Sequence, residues 1–306
     1  ALQINLISTV GNSSVVGGFG DVSIDFRDYL FLGLTGRNDW SSTLPLGNNS
    51  FFYPAATLGF VFTDAIKMNS NILNFGKLRA AWGRVGRGAG IYGTQSRLYS
   101  SPNEGTLLGQ VVFPFRGVPG LLTKGGLGNS NLSPEFTTEI EFGTELHFFD
   151  SRATLDVTYF NRTTTDLIFS VSRAPASGFR SQVTNAGELN NKGIEIGLNV
   201  TPVKLRNGFQ WDVFANFTKI ENEVVKLVDG LERLSLSSVG ANSSNFTSIG
   251  SYAVPGQPYG VIQGSSVFRD DEGNFIIDPS TGYFRTNPDV TTIIGDPNPD
   301  FIAGLG

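Results

Sequence analysis

Glu139-Ile140-Glu141-Phe142-Gly143-Thr144-Glu145-Leu146-His147-Phe148 decides the fold. Ile140, Phe142, Leu146 and Phe148 alternate with Glu139, Glu141, Gly143, Glu145 and His147. A period of two is the signature of a strand with one apolar and one polar face. The same alternation returns at Ile194, Ile196, Leu198 and Val200 against Glu195, Gly197, Asn199 and Thr201. Phe209, Trp211, Val213, Ala215 and Phe217 then alternate with Gln210, Asp212, Asn216 and Thr218. Weaker copies occur at Val22, Ile24 and Phe26, at Ala56, Leu58, Phe60 and Phe62, and at Ala153, Leu155, Val157 and Tyr159.

Working outward, strands are expected near 18–26, 29–39, 53–64, 76–87, 136–149, 152–172, 185–202 and 209–226, with another starting near Asp300. Alternation alone fits a soluble sandwich as well as a barrel. Connection lengths separate the two. Tight turns are expected at Arg27-Asp28 and Asp150-Ser151, and shortish links at 65–75 and 203–208, whereas those at 40–52, 88–135, 173–184 and 227–299 are longer. Short turns at one end and long loops at the other characterise outer-membrane barrels. The expected fold class is therefore all-β, an antiparallel transmembrane β-barrel, with 88–135 and 227–299 as long extracellular loops. Structureless links above about 15 residues are uncommon, so these two need a role or a fold of their own. A small hairpin is expected around Asp271-Glu272-Gly273-Asn274. Phe51-Phe52-Tyr53, Phe148-Phe149, Tyr159-Phe160 and Trp211 stand near strand ends, where a bilayer would collect an aromatic girdle. The closing run from Asp300 reads as a strand just beginning, so later strands are expected outside this chain.

Composition agrees. Of 306 residues, 38 are Gly and 25 Phe, only 16% are charged, and the formal charge is -5 with no basic block. That argues against a nucleic-acid groove. With no Cys and a single His, thiolate sites, disulfides and multi-histidine metal centres are excluded. No stretch approaches the ~20 apolar residues of a spanning helix, so any crossing is by strands. The Gly83–Gly90 run "GRVGRGAG" lacks the Lys-Ser/Thr pair of a phosphate loop and reads as strand and loop. "DDEGN" from Asp270 lacks the spacing and final Glu of a calcium loop. His147 has no nucleophile-elbow sequence beside it, so the chain is expected not to be an enzyme and to need no cofactor or metal. In "GRNDW" from Gly36, Asn38 and Asp39 read as turn anchors and Trp40 as an interface residue.

Several runs together resemble the SusC/RagA type of TonB-dependent outer-membrane transporter. They are "RDYLFLGLTGRNDWSSTLP" from Arg27, "SFFYPAATLGFVFTD" from Ser50, "GKLRAAWGRVG" from Gly76, "LSPEFTTEIEFGTEL" from Leu132, "NAGELNNKGIEIGLNV" from Asn185, "GQPYG" from Gly256 and "IGDPNPDFIAGL" from Ile294. The resemblance implies that residues 1–306 form part of one barrel of roughly 22 strands, with the plug domain and C-terminal strands outside this chain. It implies a Gram-negative, Bacteroidetes-like outer membrane, a SusD-like surface lipoprotein as lid, the TonB-ExbB-ExbD system as energy source, and oligosaccharide or peptide cargo. The alternatives are a lidless siderophore or vitamin receptor and an adhesive or structural surface protein. On this reading Glu139, Glu141, Glu145, Glu195 and Asp212 face the lumen and their neighbours face outer-membrane lipid. The loop residues Tyr99, Phe113, Phe115, Arg116, Tyr252 and Tyr259 are the candidates for ligand or lid contact, since aromatic faces suit sugar rings and loops carry binding residues.

Overall fold

Arg27 and Asp28 have backbone φ of 55° and 59°, the pair of left-handed residues that a tight hairpin turn requires. They join β1 (Val15–Phe26) to β2 (Leu30–Ser41). A computed structural model describes residues 12–99, 118, 120, 122–123, 125–238 and 249–306; the side chains of 98–99, 122–123, 175, 238 and 287–291 are outside the description. β3 (Ser50–Val61) returns to a single helical turn, α1 (Phe62–Ala65), and β4 (Leu73–Arg87) follows. The short strands β5 (Leu98–Tyr99), β6 (Leu122–Thr123) and β7 (Gly126–Leu127) precede β8 (Glu135–Phe148) and β9 (Ala153–Thr165). Next come β10 (Ile168–Ser172), a 3-10 turn at Pro175–Ser177, β11 (Ser181–Asn185), β12 (Gly187–Lys204) and β13 (Gln210–Leu227). The last are β14 (Leu234–Ser238), β15 (Gly250–Ala253), β16 (Val261–Val267), β17 (Thr286–Gly295) and β18 (Ile302–Leu305).

A 9-stranded sheet in the order β1-β2-β3-β4-β8-β9-β12-β13-β18 forms the wall, and all its pairs are antiparallel. Links 27–29, 62–72, 149–152 and 205–209 lie at one end; 42–49, 88–134, 166–186 and 228–301 lie at the other. The longest links, 88–134, 166–186 and 228–301, therefore share one end as expected, although 62–72 at the opposite end is longer than 42–49. The long links are not structureless. They carry a crown of three small sheets: β5-β6, β10-β11-β7 and β14-β15-β16-β17.

Some expected boundaries are corrected. The strand expected over 53–64 stops at Val61, because Phe62 folds across Gly76, where a side chain would collide with the ring, and Thr63 Oγ1 accepts the Gly76 N–H at 3.2 Å. The strand expected over 152–172 stops at Thr165. Asp166 adopts φ 57°, and the following residues leave the wall as β10 so that Ile168 and Phe169 reach apolar clusters in the crown. β12 is displaced from the expected 185–202 to Gly187–Lys204, and β13 from 209–226 to Gln210–Leu227. β12 also carries register shifts between Glu188 and Leu189 and between Val200 and Val203 against β13, local twists of the kind bulges produce.

Cross-strand partners share a face, so the register extends the alternation from single strands to the whole wall. One row runs Phe26, Leu30, Phe60, Leu78, Thr144, Val157, Ile196 and Phe217 from β1 to β13, apolar at all but Thr144. Another apolar row starts at Ile24, Leu32, Leu58, Ala80 and Phe142 and reaches Tyr159, Ile194 and finally Lys219. The apolar band thus slides along the strands from one side of the sheet to the other. Inclined, staggered strands of a barrel wall require that drift. Above the band on β9, β12 and β13 the same face turns polar at Asn161, Lys192 and Glu221. Phe142 remains 56% exposed, Val22 55% and Leu58 44%. A continuous exposed apolar surface of this extent marks a membrane-facing sheet. No described helix is long and apolar enough to cross a membrane.

Candidate functional site

Opposite the apolar band lies a polar face built from the intervening residues. Glu139 stands across from Gly83 and Arg162, Glu141 across from Ala81 and Phe160, and Glu145 across from Lys77 and Asp156. Through Thr158 the same face continues to Glu195 and Thr218. Asp212 belongs to it by parity along β13 and accepts hydrogen bonds from Thr201 Oγ1 at 2.6 Å and Gln210 Nε2 at 2.8 Å. The five acidic residues singled out in the sequence therefore share one face of one sheet.

Arginines missed in the sequence organise that face. Arg79 reaches across Gly143 to the next strand, where it grips Asp156 through Nη1–Oδ2 at 2.8 Å and Nη2–Oδ1 at 2.5 Å, and donates to Thr158 Oγ1 at 2.6 Å. A side chain at Gly143 would collide with this guanidinium, so the glycine is what opens the path. Arg162 holds Glu139 in a second fork at 2.9 and 3.1 Å. His147 Nε2 lies 2.9 Å from Glu145 Oε1, with its ring 4.7 Å from that of Phe75, near the short turns. Glu195 accepts no hydrogen bond from a described residue. Extending the parity count to β4 and β9 would have found Arg79 and Asp156, which alternate with Leu78, Ala80, Leu155 and Val157, whereas Arg162 stands between the polar Asn161 and Thr163.

At the long-loop end the "GRNDW" run is an anchor. Arg37 Nε donates to Asp39 Oδ1 and to Tyr53 Oη, both at 2.8 Å, and the Tyr53 hydroxyl donates to Asp39 Oδ2. Asp39 is only 7% exposed, and burial of a carboxylate is tolerated because each oxygen is matched. Asn38 Nδ2 donates to Ser50 Oγ across the hairpin at 3.0 Å.

Two apolar clusters hold the crown together. Leu132, fully buried, packs with Leu44, Phe51 and Ala89, flanked by Ile168 and Val183. Asn185 locks the neighbouring loop bases: its Nδ2 donates to Ser133 O at 2.9 Å and Asp166 O at 2.8 Å, and its Oδ1 accepts the Ser133 N–H at 3.0 Å. The second cluster joins Val224, Leu234 and Ala253. Tyr259 packs against it; its N–H donates to Asn222 Oδ1 at 2.5 Å and its carbonyl accepts from Asn298 at 3.1 Å. Burial pushes the Tyr259 phenol above its ordinary pKa. Tyr252 is half-buried under the Arg233 guanidinium, 4.9 Å from the ring centre, and Arg233 also donates to Gln263 Oε1 at 3.0 Å. Tyr99 lies in β5 with its side chain outside the description, and Phe113, Phe115 and Arg116 are outside the described residues.

In the hairpin at Asp270–Asn274, the Asn274 N–H at 2.8 Å and the Asn274 side-chain amide at 3.1 Å, with a smaller part from the Glu272 N–H at 3.0 Å, hold the Asp270 carboxyl below the usual range. The acidic run there is a turn built from its own backbone. The "GRVGRGAG" run lies in β4 and the loop after it, with no helix opening. The described residues hold no His/Cys/Asp/Glu group placed to bind a metal.

Comparison with known proteins gives a consistent result. The family described as TonB dependent receptor-like, beta-barrel matches residues 4–292. A TonB-dependent receptor of Formosa agariphila is 28% identical over 329 aligned positions, covering 100% of this chain and 31% of the relative. TonB-dependent receptor SusC of Bacteroides thetaiotaomicron is 29% identical over 71% of this chain and 21% of its own length. Among solved structures, the RagAB peptide importer in its 'closed-closed' state superposes with a TM-score of 0.75 at 23% identity, covering 95% of this chain and 31% of that one. The chain thus spans less than a third of the length of each of these three proteins.

Proposed function

The chain belongs to the TonB-dependent receptor-like β-barrel family, an outer-membrane family of transporters and receptors, and from that premise we propose that the whole protein imports a nutrient under TonB control. The observation that carries the reading is the two-faced wall, with an exposed apolar band on one side and Glu139, Glu141, Glu145, Glu195 and Asp212 on the other; on this reading the band meets lipid and the acidic face meets a lumen. The crown, 88–135 and 227–299 included, is extracellular, and the remaining barrel strands and a plug lie elsewhere in the full-length protein. Likeness to SusC and to the RagAB peptide importer supports a SusD-like lipoprotein lid and oligosaccharide or peptide cargo.

No covalent chemistry is required. Ligand is held by crown residues under the lid and released inward when the TonB-ExbB-ExbD system rearranges the plug, a population shift between two states of different ligand affinity. Tyr252, Tyr99, Phe113, Phe115 and Arg116 are proposed to touch ligand or lid. Tyr259, tied to Val224, Leu234 and Ala253, serves to anchor the loop. Affinity capture of the full-length protein from purified outer membranes, with mass spectrometry of what accompanies it, tests the reading. A surface lipoprotein in stoichiometric amount is expected. Recovery from that membrane without one would favour a lidless receptor, and absence from the membrane would overturn the proposal.

A further inference from the structure

A groove of about 360 Å³ runs along the crown between the start of the 88–134 link and the β7–β11 pair, lined by Ile91, Tyr92, Gln95, Arg97, Ser181 and Val183 among others. Its long wall is held firmly. Gly93 O accepts the Asn129 N–H at 3.0 Å, Ser96 Oγ accepts the Gly128 N–H at 3.0 Å, and a side chain at Gly128 would run into the Gln95 backbone. Tyr92 sits in this wall with φ 64°, a left-handed conformation that a bulky side chain rarely adopts. The ring it presents carries the Arg97 guanidinium 4.3 Å from its centre.

Arg97 is half-buried, yet its N–H groups meet no acceptor among the described residues. Arg79 and Arg162 on the wall each grip a carboxylate through a two-toothed fork. Stacking on Tyr92 fixes the plane of the Arg97 fork and leaves its edge without an acceptor among the described residues. Gln95 and Ser181 add neutral donors, and Ile91 and Val183 an apolar side, so the groove matches a carboxylate attached to a partly apolar body.

We infer that this groove binds a carboxylate group of the cargo through Arg97, with Tyr92 holding the guanidinium in place. The inference rests on the importer reading for its biological meaning and names the chemistry of what is imported. Two sources fit: a uronic acid of an oligosaccharide, or an acidic peptide. The test uses the full-length protein in detergent with four probes, trigalacturonate, triglutamate and the methyl ester of each. One acid should bind its protein about tenfold to a hundredfold more tightly than its ester, the range for a charge-assisted fork. Arg97→Gln should remove that preference, while Arg97→Lys should retain part of it. Preference for trigalacturonate would assign uronate cargo, and preference for triglutamate acidic peptide. Neither acid exceeding its ester, or an unchanged preference in Arg97→Gln, would overturn the inference. Failure of the importer reading would appear separately, as loss of the lipoprotein partner.

Discussion

In the wall, Phe142 is 56% exposed and its row neighbours Leu58 and Ile24 are open as well, whereas in the crown Leu132 has no exposed surface at all. Both regions are β-structure, antiparallel throughout the wall and, apart from the parallel β7–β11 pair, in the crown as well. Wall strands cover their apolar side chains with lipid and keep their polar side chains on the other face, so they need no core of their own. The crown meets water, and its links close small cores over the wall's strand ends, Leu44, Ala89 and Leu132 over Phe51 of β3, and Leu234 and Ala253 over Val224 of β13. The difference teaches that secondary structure alone does not say what solvates a sheet. The pattern of burial does.

The largest expected effect separates the regions from the crown side. Leu132→Ala should cost about 2–5 kcal/mol of local stability, the range for truncating a fully buried leucine. Hydrogen exchange should accelerate in 42–49 and 166–186 with β9 and β12 unaffected. Ile196→Arg attacks the wall and should cost about 2–4 kcal/mol in lipid vesicles, as for a cation on a lipid face. The neighbouring change Glu195→Arg, on the polar face, should cost well under half as much. Urea unfolding of the full-length protein from vesicles compares the two, and equal costs would erase the distinction between faces. Asn185→Ala should cost about 1–3 kcal/mol by leaving the Ser133 and Asp166 groups without partners, again read by exchange at the loop bases. The wall's Arg79–Asp156 fork is half exposed, so a double-mutant cycle should return only about 0–1 kcal/mol.

Acid offers a finer contrast. Because the Asp270 carboxyl is held below its ordinary range, chiefly by the Asn274 N–H and side chain, its folded pKa lies under its unfolded one. The turn is therefore supported above the unfolded value and loses that support as pH falls through the folded one. Amide exchange at Glu272 and Asn274 should quicken on acidification in that window while the wall amides hold.

Alternation in Glu139–Phe148 and Gly193–Thr201 made the wall legible, since a residue's face follows from parity alone. The alternating link lengths added which end carries the crown. Other features depended on contacts distant in sequence. β10 leaves the wall at Asp166 because Ile168 and Phe169 find partners contributed by other loops, and no local pattern announces that. The four-stranded sheet β14–β17 is similar: its strands are short, rich in Ser and Gly, and stabilised by packing of Leu234 and Ala253 against Val224. On the polar face the carboxylates were legible by alternation. Arg79 was not singled out, although its reach to Asp156 follows from its place opposite Gly143. The Arg97 groove joins residues from three separate stretches, which periodicity cannot bring together.

The two faces of this wall meet different media. Single spin labels at Ile194, Glu195, Ile196, Gly197, Leu198 and Asn199 of β12, in the full-length protein within outer-membrane vesicles, address it most directly. Collision with oxygen, which concentrates in lipid, and with a water-soluble nickel chelate should alternate with a period of two, lipid contact falling at Ile196 and Leu198 and water contact at Glu195, Gly197 and Asn199. Equal access of the nickel chelate to both faces would contradict a membrane wall and leave the strands to a soluble sheet.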